Sequence, residues 1–170
     1  MGFETGRRAP IDLTIEAGAY EAKYDFGGLS LSALTIKDGA ADVKLDFSAP
    51  NLTEMSVFRY ETGASNVRLS NLANANFNTL IFKSGAGDYT LDFGGELKQN
   101  ASVSIETGLS NMVLIIPEGM NAEVTVDSGV SNVNAGPGWE QSGSRYIQTA
   151  SGPKVTIVVK MGAGNLTLTR

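Results

Sequence analysis

Side chains able to do chemistry recur in this chain at fixed distances from a glycine. Two residues before Gly18, Gly39, Gly63, Gly85, Gly108, Gly129 and Gly162 stand Glu16, Lys37, Glu61, Lys83, Glu106, Asp127 and Lys160. Three residues after the same glycines stand Glu21, Asp42, Asn66, Asp88, Asn111, Asn132 and Asn165. Glycosidases place paired carboxylates about 5 to 9.5 Å apart, and a repeating scaffold would bring Asp46 and Asp92, or Glu61 and Glu106, toward that spacing. Each of these also fits the solvent-facing register of a strand, so no catalytic residue is assigned. Calcium takes about six to eight oxygens with several carboxylates among them. The column Asp42, Asn66, Asp88, Asn111, Asn132, Asn165 is mostly amide, so it reads as a stacked turn ladder, and no metal or cofactor is expected. His and Cys both number 0, which removes the commonest general base, the commonest transition-metal ligand and all thiolate chemistry. Thr62, Ser84, Thr107 and Ser128 directly precede glycines, yet nothing in the sequence activates them as nucleophiles. The chain is not expected to be an enzyme. The alternatives are a polysaccharide-active enzyme on a β-helical scaffold and a module that assembles end to end.

Columns of this kind need a repeating framework to position them, and the glycines give its period. Successive steps are 21, 24, 22, 23, 21 and 33 residues, so the last repeat contains an insertion. Apolar residues fill both flanking positions before the glycine, for example Leu34 and Ile36, Phe58 and Tyr60, or Val103 and Ile105. They return after it as Val43 and Leu45, Val67 and Leu69, or Met112 and Leu114. Alternation at every second position marks half-buried strands. Seven positions separate Ile36 from Val43, an odd number, so the corner must reset the alternation. Glycine in a positive-φ conformation is the expected device. The predicted fold is all-β: a single-domain, parallel, right-handed β-solenoid of seven coils of about 22 residues, two strands per coil, over 11–170, behind an N-terminal tail at 1–10.

The charged column tests that prediction. In a parallel, in-register stack its members lie about 4.8 Å apart, where opposite charges help and like charges hurt. Stacked in chain order, successive members alternate in sign except for Glu106 with Asp127. Neither end of such a stack shows an obvious cap, which predicts self-association through the ends, as a homodimer rather than a fibre.

The net charge of -5 comes from scattered residues, which argues against nucleic acid as a partner. No apolar run is long enough for a membrane span, and no signal or anchor is present in this chain. Loops on rigid scaffolds commonly bind, and the insertion Gly136 to Pro153 carries Trp139, Arg145 and Tyr146, residue types enriched at binding hot spots. These three are the candidate binding residues; the other reading, which the resemblance described below favours, is that Trp139 and Tyr146 fold back over the last coil and cover its apolar flank.

The runs Lys83-Ser84-Gly85-Ala86-Gly87-Asp88-Tyr89-Thr90-Leu91-Asp92-Phe93 and Glu106-Thr107-Gly108-Leu109-Ser110-Asn111-Met112, the Trp139, Tyr146, Gly152-Pro153 insertion, and Gly162-Ala163-Gly164-Asn165-Leu166-Thr167-Leu168 together resemble the toast-rack family. That family includes LiaF-like cell-wall-active antibiotic-response C-terminal domains and bacterial adhesin-like domains. The resemblance implies an extracytoplasmic or envelope-associated bacterial scaffold, linked to envelope stress response, with a protein or cell-wall polymer as partner. It supplies no catalytic residues.

Overall fold

Alternating apolar residues form strands, and the computed structural model describes them over residues 9–170, the side chains of residues 128, 130 and 131 excepted. Residues 1–8 of the expected tail lie outside that description. The strands are β1 (Ile11–Asp25), β2 (Leu31–Asp46), β3 (Met55–Glu61), β4 (Ala64–Ser70), β5 (Phe77–Asp92), β6 (Ala101–Ile115), β7 (Asn121–Ala135), β8 (Glu140–Ser142), β9 (Arg145–Gln148) and β10 (Lys154–Thr169). They form a ten-stranded sheet in the order β1-β2-β3-β5-β6-β10-β7-β9-β8, with β4 pairing β2 and β5. From β1 through to β7 every pairing is parallel, and the repeat positions stand in register.

Chain order is not spatial order. The last long strand, β10, lies between β6 and β7, so Lys160 is the register partner of both Glu106 and Asp127. The like-charged pair that chain-order stacking would create is thereby removed. Glu16, Lys37, Glu61, Lys83, Glu106, Lys160 and Asp127 now alternate in sign along the whole column.

Two strands per repeat were expected, yet most repeats form one long strand that bends at the glycine. Neighbouring strands bend at the same place and stay paired on both sides of it; only β3 and β4 are separated. The alternation resets as the spacing requires. In β6, Ala101, Val103, Ile105 and Thr107 are buried, Gly108 and Leu109 are both exposed, and Ser110, Met112 and Leu114 are buried again. Two consecutive outward residues make the corner.

Positive φ is not how the glycine serves that corner. None of the repeat glycines has it; in two of the corners positive φ falls two residues later, at Gly87 and Gly164. Close approach of the neighbouring strand is the constraint. A Cβ added at Gly63 would lie 2.5 Å from the Gly39 carbonyl oxygen, and one at Gly108 would lie 2.6 Å from that of Gly85. The glycines thus touch along the stack.

The core fills the inside of the bend, and its two halves differ. Toward β1 it is aromatic: Phe47 meets Phe58 edge-on at 5.9 Å, and Phe82 meets Tyr89 edge-on at 5.3 Å. Toward β7 it is aliphatic, built from Val103, Ile105, Ile157, Val159, Leu166 and Leu168. Offset and edge-on ring pairs add to the burial of apolar area that drives the assembly.

The absence of a cap is corrected at one end. The insertion folds as the β8/β9 hairpin, and β9 pairs antiparallel with β7, Tyr146 standing opposite Val124. Backbone groups of β7 that an open stack would leave unpaired are thereby bonded.

Candidate binding surface

The outward residues form ladders that run the length of the stack. In the charged column, Lys37 reaches Glu61 at 3.6 Å and Lys83 reaches Glu106 at 3.9 Å. A shallow groove of about 420 Å³ runs beside Lys83, Glu106, Lys160 and Asp127. On the other side of the corner the amides bond one another in spatial order. Asn111 donates to Asp88 at 3.0 Å, Asn165 to Asn111 at 2.9 Å, and Asn132 to Asn165 at 3.4 Å. Asn111 and Asn165 each donate to one neighbour and accept from the other, so their oxygens are used within the ladder.

The carboxylate pairs are occupied by structure. Lys83 stands in register between Glu61 and Glu106. Asp46 accepts from Asn71 Nδ2 at 2.8 Å, and Asp92 accepts from the Gly94 N–H at 2.9 Å, so both hold turns. Among the described residues no three of His, Cys, Asp or Glu converge as metal ligands.

The Ser/Thr column points inward at the bend. Ser84 donates to Thr107 at 2.8 Å, and Thr107 bonds Ser110. Thr62 bonds Asp38 and Ser65, whose Oγ accepts from the Ala41 N–H at 3.0 Å. Ser128 is among the side chains outside the description. Asp38 also accepts from Tyr60 Oη at 2.8 Å and Tyr20 Oη at 3.3 Å. Burial first, and then the bond to Asp38, raises the Tyr60 phenol far above its ordinary range. These hydroxyls satisfy one another inside a low-dielectric bend, which is a structural duty.

The insertion places the three candidate binding residues differently. Tyr146 is 7% exposed and belongs to the core, while Trp139 packs half-buried against it. Arg145 lies at the surface and pairs with Glu123, which Lys154 also reaches at 2.8 Å. Lys154 and then Arg145 hold the Glu123 carboxyl below the usual carboxylate range. Two buried amides carry no sequence signal. Asn51 binds both backbone groups of Leu31 at 2.8 Å, and Gln148 Nε2 donates to the Pro117 and Met120 carbonyls at 2.9 and 2.8 Å.

Residues 54–115 match the family model described as the N-terminal domain of toast_rack, DUF2154. The solved structure of a "putative cell adhesion protein" from Clostridium sporogenes is similar with a TM-score of 0.63 at 15% identity, covering 93% of this chain and 92% of that chain. At that identity the likeness concerns the fold alone. No curated protein matches. Among the described residues no helix is long and apolar enough to cross a membrane.

Proposed function

We propose, from the match of residues 54–115 to a toast-rack family model, that this chain is a non-enzymatic scaffold of the bacterial envelope or surface that binds a protein or a cell-wall polymer. The observation that carries the reading is the pair of registered ladders, one of alternating charge and one of amides, laid along a rigid bend. Such surfaces offer many weak polar contacts at a fixed repeat of about 4.8 Å. That suits an extended polymer or a flat protein face better than a small substrate. The likeness in fold to a protein named for cell adhesion is consistent with this. The finer architecture belongs to the same proposal: a right-handed solenoid of seven coils, supported by the in-register pairing from β1 to β7.

The test is co-sedimentation of the purified domain with isolated bacterial cell walls, stripped or not of their anionic polymers, alongside detection of released sugar. Retention without product is expected, weakened when Asn111 and Asn165 are replaced by bulky residues. Released oligosaccharide would replace the scaffold with an enzyme, and no retention on any wall or surface protein would remove the reading.

A further inference from the structure

The two ends of the ladder are not equivalent. At the β7 end the inward residues Val124 and Val126 are 0% and 7% exposed because β9 lies over them. The matching inward residues of β1, Leu13 and Ile15, are only half-buried, as are Tyr20, Ala22 and Tyr24. Ile11 beside them is 49% exposed, and Leu52 in the loop after β2 is 58% exposed. Among the described residues β1 pairs with β2 alone. Among the described residues this edge is therefore both unpaired in its backbone and apolar in its inward side chains.

The molecule itself shows what closes such an edge. Strand β9 adds antiparallel to β7, sends Tyr146 into the core opposite Val124, and sets Arg145 outward against the terminal carboxylate Glu123. In that added strand Tyr146 and Gln148 face inward while Arg145 and Ile147 face outward, so an aromatic ring enters the core and one basic residue meets the edge carboxylate. At the open end the outward residues of the arm before the corner are Asp12, Thr14 and Glu16, all exposed. Glu16 has Lys37 as register partner on one side and nothing described on the other, whereas Glu61 stands between Lys37 and Lys83.

We propose that the β1 edge, over its 11–17 arm, is a docking site for an extended segment of another polypeptide that adds as a strand, with apolar residues facing in and Lys or Arg facing out toward Asp12 and Glu16. Main-chain bonding supplies the register and the alternating side chains supply the choice of partner. A second copy of this chain fits less well. At the β7 end β9 already occupies Ala122–Thr125, the arm that would match 11–17, so copies joined through that arm of β1 would meet β1 to β1 through a two-fold axis. Aligning their corners in that way sets Glu16 against Glu21 of the other copy, and Asp12 against its Asp25, acid on acid. This inference does not depend on the envelope role.

The probes are two short acetylated peptides, one alternating arginine with valine and one alternating glutamate with valine, followed by fluorescence anisotropy and amide hydrogen exchange. The arginine peptide is expected to bind saturably, about tenfold or more tighter than the glutamate peptide, and to slow exchange selectively in β1. The paired substitution Asp12→Lys with Glu16→Lys should abolish that preference. Glu118→Lys, at a carboxylate 83% exposed in the turn after β6, should leave it intact. Equal binding of the two peptides, binding that leaves β1 exchange unchanged, or no binding at all would overturn the proposal. Concentration-dependent dimerisation that protects β1 would overturn it in favour of a second copy.

Discussion

Gly108 illustrates how a single atom is excluded by the stack. Its missing Cβ would lie 2.6 Å from the Gly85 carbonyl oxygen, while the same atom at Gly18, on the terminal strand, meets nothing within 4 Å. Gly108→Ala should destabilise the domain by about 1–3 kcal/mol, since overpacking forces the neighbouring backbone to move. Gly18→Ala should change stability by no more than about 0.5 kcal/mol. Urea denaturation measures both, and equal midpoints would mean that close approach is not what keeps glycine in the column. Tyr60 gives a second expectation at this scale. Its phenol is raised well above the ordinary 10.0 by burial and by Asp38, so it ionises only once the chain unfolds. A raised folded pKa leaves stability intact below the unfolded value and erodes it as pH climbs from there toward the folded one. Stability should therefore hold to about pH 9 and fall above about pH 10, less steeply in Tyr60→Phe. An alkaline slope unchanged in that variant would show that other groups carry it. The glycine column was visible in the sequence, but the reason for it was not. Spacing marks where a side chain is missing, and only the neighbouring carbonyl shows why.

Strands exchange places more easily than residues do, because every repeat presents the same columns to its neighbours. Apolar positions of β10 would fit above β7 as readily as between β6 and β7, so hydrophobic pattern alone leaves the order open. Charge was the discriminating signal. Chain-order stacking puts Glu106 against Asp127, and insertion of β10 puts Lys160 between them. Cross-strand charge pairs are worth about 0.2–1 kcal/mol each, too little to outweigh a fold but enough to mark one order among near-equals. Lys160→Glu creates two like-charged contacts at once and should cost about 0.5–2 kcal/mol at low salt. Most of that loss should be recovered at about 1 M salt, where the screening length is about 3 Å. If urea midpoints do not depend on salt in this way, Lys160 does not serve as a wedge between two acids. The cap was legible only in part: the fold-back of Trp139 and Tyr146 over the apolar flank could be read, but its strand pairing could not. Strands β8 and β9 span Glu140–Ser142 and Arg145–Gln148, too short to show a period. Arg145, Tyr146 and Trp139 are residue types that bind, and the same types also close an edge, a duty that spacing alone does not reveal. The alternation and its reset at the corner, by contrast, were fully readable, since side-chain period is a local property.

At the scale of the whole molecule, the position of β10 decides how the two ends are joined. Solenoid repeats touch only their neighbours, so loss of a terminal repeat normally peels one layer and leaves the rest folded. Here the last strand in sequence is internal in space. It pairs with β6 from Val155 to Thr169 and with β7 from Lys154 to Leu168. In the sheet order, β7, β9 and β8 reach the remainder only through it. Further bonds run to the strand's last residues: the Ile116 and Gly136 N–H groups donate to Thr169 and Leu168 at 2.9 Å, and Arg170 Nε donates to Gln148 at 2.9 Å. Its inward side chains Val155, Ile157, Val159, Leu166 and Leu168 are fully buried. Each represents about 1.5–3 kcal/mol of burial, so together they rival the whole stability of a domain, about 5–15 kcal/mol. Deleting residues 154–170 should thus release β7 and its hairpin together, rather than a single layer. Hydrogen exchange on the truncated chain should show β7 and β9 amides unprotected, with any remaining protection confined to the strands from β1 to β6. The competing outcome is physically clear, because β7 offers β6 the same columns that β10 does. If β7 stayed protected after truncation it would have closed directly onto β6, setting Glu106 beside Asp127. The order seen here would then be one of two stable arrangements, selected by the presence of the last strand.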